Sequence, residues 1–157
     1  MKIIAMIPAR IGSTRLKMKN LTLLNGKPLI AYSILAAKQS GVFDRIVINS
    51  DSNIFKSIAV SYGVEFYERP EHLGSSTTKS DDVVLDFLQN NKSEVIVWVN
   101  SISPLQTGEE IRRVVEFFKK ENLDSLITVK DEQVHCLYQG KPVNFEESTK
   151  FAQTQEL

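Results

Sequence analysis

The hydrophobic residues of this chain occur in short continuous runs that are separated by longer segments with helical spacing. A continuous apolar run of four to eight residues is typical of a strand buried on both faces of a sheet. The first such run, residues 3–7, is ended by Pro8. We predict five strands of this kind, at 3–7, 45–49, 64–67, 94–99 and 125–129.

The segments between these runs carry the start and stop signals of helices. Pro28 opens a helix with apolar residues at three-to-four spacing, and Gly41 ends it. A second helix follows the cap-rich segment 50–53 and stops before Gly63. Further helices are predicted from Ser80 through Leu88 and over 107–122, the last with the capping-box pair Thr107 and Glu110.

The alternation of strand and helix predicts the fold class. Four repeats of this alternation favour a mostly parallel sheet covered by helices on both faces, a three-layer α/β/α, Rossmann-like domain. The segment 134–145, with Gln139-Gly140-Lys141 at its centre, is predicted to be a β-hairpin. The length of 157 residues suits a single domain.

Charge is distributed unevenly, although the formal net charge is zero. Residues 1–43 contain seven lysines and arginines and no acid, and four of these cations fall between Arg10 and Lys19. Such asymmetry indicates an anionic partner. A nucleic acid is a poor fit, because the cations sit in one loop without interleaved aromatic residues.

Compartment and membrane association follow from composition. The single cysteine, Cys136, cannot form an internal disulfide, which favours a reducing, cytoplasmic environment. No apolar run approaches the ~20 residues of a membrane-spanning helix. We therefore expect a cytoplasmic protein with no membrane segment.

The loop after the first strand has the chemistry of a phosphate cradle. Ligands of open α/β sheets bind outside the carboxyl ends of the strands, which is where this loop begins. Gly12 permits close backbone approach, Ser13 offers donors, and Arg10 can grip phosphate oxygens in a bidentate fork. Neither a P-loop signature nor a G-x-G-x-x-G fingerprint is present, which argues against a P-loop NTPase and a dinucleotide-binding dehydrogenase.

Four ordered motifs resemble the CMP-sugar synthetases, that is, the acylneuraminate cytidylyltransferases and their relative that activates 3-deoxy-manno-octulosonate. The motifs are Ile7-Pro8-Ala9-Arg10 with Gly12-Ser13, Arg15-Leu16 and Lys19-Asn20; Asn25-Gly26-Lys27-Pro28; Glu68-Arg69-Pro70-Glu71-His72-Leu73; and Ser103-Pro104-Leu105. The last two resemble the sialic acid branch more than the octulosonate branch. The resemblance implies a nucleotidyltransferase fold.

The resemblance also implies roles for individual residues. Arg10, Ser13 and Lys19 would hold the triphosphate of CTP, and Arg10 and Lys19 would stabilise departing pyrophosphate as the catalytic pair. Pro8, Ala9, Gly12, Asn20, Arg69 and Ser80 would complete the nucleotide site, with Arg69 and Ser80 facing cytosine or ribose. Asn100 would contact the sugar. Mg²⁺ would bridge phosphate oxygens.

Two features depart from that family. Asn100-Ser101-Ile102 stands where the family usually has Gln-Pro-Thr, which changes the sugar contact. Family members also continue well past the position of Leu157, so the chain is expected to lack their C-terminal portion, which carries the metal-binding aspartates and most of the homodimer contacts. The metal ligands are therefore unassigned.

Several other residues have structural interpretations. We interpret Asp51 as part of a helix cap rather than a metal ligand, and Asp81 and Asp82 as ordinary first-turn acids rather than a carboxylate pair for Mg²⁺. Cys136 is interpreted as a core residue, as is Trp98, for which base stacking is the less favoured alternative.

The function expected from the sequence is transfer of CMP from CTP to an acidic sugar such as N-acetylneuraminate. The alternatives are a non-catalytic nucleotide-binding fragment of such an enzyme and a nucleotidyltransferase for another sugar.

Overall fold

A computed structural model describes residues 1–12, 16–132 and 134–145. Residues 1–122 form one compact unit and a second unit begins at Leu123. The expectation of one domain over 1–157 stays a prediction. No helix among the described residues is long and apolar enough to cross a bilayer.

The first unit alternates strands and helices in the predicted order. Its strands are β1 (Ile3–Ala9), β2 (Leu23–Leu24), β3 (Lys27–Pro28), β4 (Arg45–Ser50), β5 (Glu65–Glu68) and β6 (Val95–Trp98), and its helices are α1 (Leu29–Ser40), α2 (Ile54–Tyr62), α3 (Ser80–Asn90) and α4 (Gly108–Lys120). Short 3-10 turns lie at Lys19–Leu21 and Glu71–Gly74. The long strands form one parallel sheet in the order β5-β4-β1-β6.

Side chains of β1 alternate between two buried layers, which makes the unit three layers thick. Ile3, Ala5 and Ile7 pack with residues of α1, α2 and α4 on one face. Ile4 and Met6 point to the other face and pack with Phe87 of α3. The three-layer α/β/α prediction is confirmed.

The predicted helix boundaries rest on identifiable chemistry. Gly41 and Gly63 adopt left-handed conformations, with φ of 68° and 60°, and close α1 and α2. Thr107 caps α4 through a complete capping box, because its Oγ1 accepts from Glu110 N at 3.2 Å and Glu110 Oε2 accepts from Thr107 N at 2.8 Å.

β1 continues past Pro8, although the sequence predicted that this proline ends the strand. Pro8 pairs in register with Asn49 of β4 on one side. On the other side β6 pairs only as far as Met6, so the missing N–H of Pro8 removes no ladder hydrogen bond. Pro8 therefore lies at the carboxyl end of β1, where the strand pairs only with β4.

A small hairpin lies within the segment predicted to be a loop. β2 and β3 pair antiparallel across Asn25 and Gly26, which have φ of 47° and 76°. Asn-Gly between two strands is a strong hairpin signal, so this hairpin could have been predicted from the sequence.

The second unit confirms a hairpin but contradicts the fifth strand. β7 (Leu137–Tyr138) pairs with β8 (Lys141–Pro142) across left-handed Gln139 and Gly140, so this hairpin is shorter than predicted. Residues 125–129, all of them described, form no strand, and Ile127 and Val129 are 85% and 86% exposed. An apolar run becomes a strand only when its backbone finds a ladder partner, and no described segment provides one here.

Candidate nucleotide-binding cleft

A cleft of about 290 Å³ opens at the carboxyl ends of β1, β5 and β6. It is bounded by the loop after β1, the segment between β5 and the start of α3, and the loop after β6. The lining residues are Pro8, Ala9, Arg10, Lys19, Asn20, Arg69, Leu73, Ser75, Ser76, Thr78, Ser80, Val83, Trp98, Asn100, Ser101 and Ile102. This is the edge of a parallel sheet at which ligands bind in open α/β folds.

The loop after β1 contributes both predicted cationic residues. Arg10 directly follows β1, and Lys19 begins the 3-10 turn that left-handed Met18 (φ 53°) introduces. Asn20 is buried next to them, and its Nδ2 donates to Arg10 O at 3.5 Å. Its Oδ1 is buried and has no hydrogen-bond partner among the described residues.

Two further loop residues were predicted for the site. Gly12 is described and exposed, but it does not contribute to the cleft lining. Ser13 lies outside the described residues.

Arg69 lies beneath the cleft in a buried ion pair. Its side chain is 4% exposed, and its Nη2 lies 3.6 Å from Oδ1 of Asp51, which is 9% exposed. Nη2 also donates to Ala9 O at 3.4 Å. Burial lowers the pKa of Arg69, while the charge of Asp51 raises it. The guanidinium nevertheless stays charged, because arginine is not deprotonated in proteins.

The Asp51 contacts correct the prediction that this residue caps a helix. The N-cap of α2 is Asn53, without a side-chain capping bond. Asp51 instead lies behind the cleft lining, where its Oδ1 accepts from the backbone N–H of Ile11 at 3.3 Å. A local cap-rich pattern could not show this, because Ile11 and Arg69, which contact the carboxylate, come from other parts of the chain.

The loop after β6 forms a further wall through two hydrogen bonds. Buried Ser101 donates from Oγ to Pro8 O at 2.8 Å, and Ser33 of α1 donates from Oγ to Asn100 O at 2.9 Å. The Asn100 side chain accepts from Ile102 N at 3.4 Å through Oδ1. The carboxamide nitrogen of Asn100 is the group that remains available as a donor.

Trp98 corrects a second prediction. It was interpreted as a core residue, but it is 41% exposed and lines the cleft with Ile102. β6 is the edge strand of the described sheet, so its outer side is less covered than the apolar run suggested. Cys136, also expected in the core, is exposed.

The remaining wall combines hydroxyl groups with two apolar side chains. Ser80 begins α3, and the segment before it contributes Ser75, Ser76 and Thr78. Leu73 and Val83 add apolar surface. Ser80 is the one residue of this set that was predicted for the site, although the Ser/Thr run before it is also visible in the sequence.

The cleft therefore collects eight of the predicted residues, which are Pro8, Ala9, Arg10, Lys19, Asn20, Arg69, Ser80 and Asn100. Its chemistry is cationic at Arg10, Lys19 and Arg69 and rich in hydroxyl and amide groups elsewhere. Among the residues that the structure describes, no group of three or more His, Cys, Asp or Glu could hold a metal ion. The protein side chains thus suit an anion with polar substituents.

Comparison with known proteins gives consistent matches. The chain is 39% identical over 125 residues to CMP-N,N'-diacetyllegionaminic acid synthase from Legionella pneumophila, covering 76% of this chain and 54% of that protein. It is 33% identical over 140 residues to an N-acylneuraminate cytidylyltransferase from Streptococcus agalactiae serotype V, covering 86% of this chain and 33% of that one. The chain thus spans about a third to a half of the length of these relatives.

Solved structures share the fold. A structure of CMP:2-keto-3-deoxy-manno-octonic acid synthetase complexed with CTP superposes with a TM-score of 0.69 at 17% identity, covering 78% of this chain and 49% of that one. A cytidylyltransferase from Leptospira borgpetersenii superposes with a TM-score of 0.61 at 23% identity, covering 76% of this chain and 50% of that one. A cytidylyltransferase family model matches residues 4–153, and the chain belongs to that cytidylyltransferase family.

Proposed function

We propose that this chain holds the CTP-binding site of an enzyme that transfers CMP to an acidic sugar such as N-acetylneuraminate. The observation that carries the proposal is the convergence of Arg10, Lys19, Asn20 and Arg69 in one cleft at the carboxyl ends of parallel strands. The names of the Legionella and Streptococcus relatives support an acidic sugar as the acceptor.

The proposed reaction is an in-line displacement at the α-phosphorus of CTP. The anomeric hydroxyl of the sugar forms a bond to that phosphorus and gives up its proton to water, while the bond to the β-phosphate breaks and pyrophosphate leaves. Arg10 and Lys19 stabilise the negative charge that builds up on the departing oxygens. Such transfers depend on positioning and charge neutralisation more than on covalent chemistry by the protein.

Recognition of the nucleoside is assigned to the opposite part of the cleft. Arg69, with Ser80 at the start of α3, would hold cytosine or ribose, and both residues line the cleft. Asn100 would offer its carboxamide N–H groups to the sugar.

Mg²⁺ is proposed as the cofactor, and the nucleotide itself would bring it. Mg²⁺ commonly binds through substrate phosphates and water with only one or two carboxylates. The described residues do not form a metal cluster, so we assign the ion no protein ligands and no step of the reaction.

A ligand titration tests the proposal. Thermal unfolding is followed with CTP, UTP, ATP or a short oligonucleotide, each with Mg²⁺. A ligand that binds only the folded state at a hundredfold excess over its Kd adds about 2.7 kcal/mol of stability. We expect the largest increase with CTP, and an equal response to all three nucleotides would contradict the proposal. Pyrophosphate release on adding N-acetylneuraminate then separates an active enzyme from a binding fragment. Release only with another sugar would identify that sugar as the acceptor instead.

A charge-matched pair of variants locates the site. Lys19→Met removes a cation from the cleft, whereas Lys27→Met removes an exposed cation from β3, away from the lining residues. Loss of one charged hydrogen bond, worth about 1.5–3 kcal/mol, should raise the Kd for CTP at least about tenfold in the Lys19 variant. Equal affinities in the two variants would show that Lys19 does not contact the nucleotide.

A further inference from the structure

Asp51 lies at a junction of three segments that form the cleft. It follows β4, and its Oδ1 accepts from the backbone N–H of Ile11 in the loop after β1 at 3.3 Å. Because Ile11 follows Arg10, this contact fixes the chain next to a cationic residue of the cleft. The carboxylate itself does not belong to the cleft lining.

The second segment is the one that follows β5, and it contacts Asp51 through Arg69. Its Nη2 lies 3.6 Å from the same carboxylate oxygen, and both side chains are at least nine-tenths buried. The guanidinium also donates to Ala9 O, the last residue of β1. One carboxylate oxygen thus links the loop after β1 to the side chain proposed to hold the nucleoside.

The third segment is the 3-10 turn Glu71–Gly74, which precedes the hydroxyl-bearing wall of the cleft. A Cβ placed on Gly74 would lie 2.1 Å from Oδ2 of Asp51 and 2.6 Å from its Cγ. Gly74 has no positive φ, so the constraint on this position is the close approach of the carboxylate. Only glycine lets the turn pack on Asp51 without displacement.

We propose that Asp51 is a positioning residue, which aligns the loop after β1, the Arg69 guanidinium and the turn at Gly74 for binding of the nucleoside part of CTP. This inference rests on the proposed function, and it adds a residue that contacts no substrate. Asp51 acts through Arg69 and Ile11, both of which it holds directly.

A simple charge effect would have the opposite sign. An anion beneath the cleft repels phosphate, so removing it would strengthen the binding of any polyphosphate. Positioning, in contrast, concerns the nucleoside. The informative quantity is therefore the Kd for CTP divided by the Kd for inorganic tripolyphosphate, because a general change of charge alters both constants together and leaves their ratio unchanged.

Three variants make the measurement specific. Asp51→Asn keeps the shape and removes the charge. Gly74→Ala keeps the charge and forces the turn and the carboxylate apart. Asp82→Asn removes an exposed carboxylate from the first turn of α3 and serves as the charge control.

The expected result is a rise of about tenfold in the ratio for Asp51→Asn, the size of one lost charged hydrogen bond. Gly74→Ala should change the ratio in the same direction by at least about threefold, and Asp82→Asn should leave it within twofold. Thermal unfolding of each variant establishes that it is folded. If Asp51→Asn does not fold, Gly74→Ala carries the test.

Two results would overturn the inference, and they differ from a failure of the proposed function. If the ratio of the two Kd values in folded Asp51→Asn lies within twofold of wild type, Asp51 only compensates the charge of Arg69 and does not position the site. An unchanged ratio in folded Gly74→Ala would show that the packed turn does not matter. If wild-type protein does not bind CTP, the proposed function fails, and this inference fails with it.

Discussion

Gly108 is the position at which one methyl group should have the clearest effect on stability. It is buried at the first position of α4, where that helix packs on the last turn of α1. A Cβ on Gly108 would lie 2.7 Å from Gln39 Cβ, 2.8 Å from Ser40 N and 2.9 Å from Ala36 O. Two of these three atoms belong to the backbone, so no rotation of a side chain relieves the clash.

The magnitude follows from the distances. Each contact is at least about half an ångström shorter than ordinary van der Waals contact, and overpacking of this kind costs about 1–3 kcal/mol. Alanine gains at most about 1 kcal/mol over glycine from helix propensity, and less at a first position. We expect Gly108→Ala to lose about 1–2 kcal/mol. For a chain of this size that lowers Tm by roughly 2–8 °C.

Thermal and urea denaturation measure this loss directly. Gly12→Ala is the matched control, because no heavy atom of the described residues lies within 4 Å of a Cβ placed there. A Gly108→Ala variant whose free energy of unfolding equals that of wild type would refute the reasoning, since it would mean that α1 and α4 are not in the close contact described here.

Three further predictions concern capping, titration and the loop after β6. Thr107→Ala removes the α4 cap and should lower the free energy of unfolding by about 0.5–2 kcal/mol in urea denaturation, and no loss would contradict the capping box. Burial and the hydrogen bond to Asp86 raise the pKa of Tyr67 to about 12. The stability that Tyr67 contributes is therefore fully present below pH 10 and is lost as the pH rises through 12. In urea denaturation, the difference in free energy of unfolding between wild type and Tyr67→Phe should therefore shrink over that range. A difference that stays constant would contradict this prediction. Ser101→Ala leaves Pro8 O without its 2.8 Å donor and should cost about 1–3 kcal/mol in urea denaturation, whereas an unchanged midpoint would show that water replaces the hydroxyl.

Much of the sheet and its helices could be predicted because their signals are local. Gly41 and Gly63 end helices through their own φ angles, and Thr107 and Glu110 form a cap within one turn. The strand at 125–129 was predicted wrongly because apolar character is a property of the segment, whereas a strand also needs a partner. Trp98 was misplaced for a related reason, since its burial depends on what covers β6.

The site was predictable to the extent that it lies in one contiguous loop. The cations between Arg10 and Lys19 predict a phosphate-binding loop from the sequence alone, and both of these residues line the cleft. The roles of Asp51 and Ser101 could not be found in this way, because each contacts a segment distant in sequence. From its neighbours in the sequence, Asp51 is predicted to be part of a helix cap, and Ser101 is predicted to be an ordinary loop residue.

The burial of Arg69 has a consequence for the energetics of binding. A mobile arginine loses rotamer freedom worth up to about 2 kcal/mol when a ligand immobilises it. Arg69 has lost that freedom already, because folding confines its guanidinium between Asp51 and Ala9 O. Lys19 is partly exposed and carries no comparable restraint among the described contacts. In the proposed complex with CTP, preorganisation at Arg69 would lower the entropic cost of holding the nucleoside, while immobilising Lys19 would add an entropic penalty to phosphate binding.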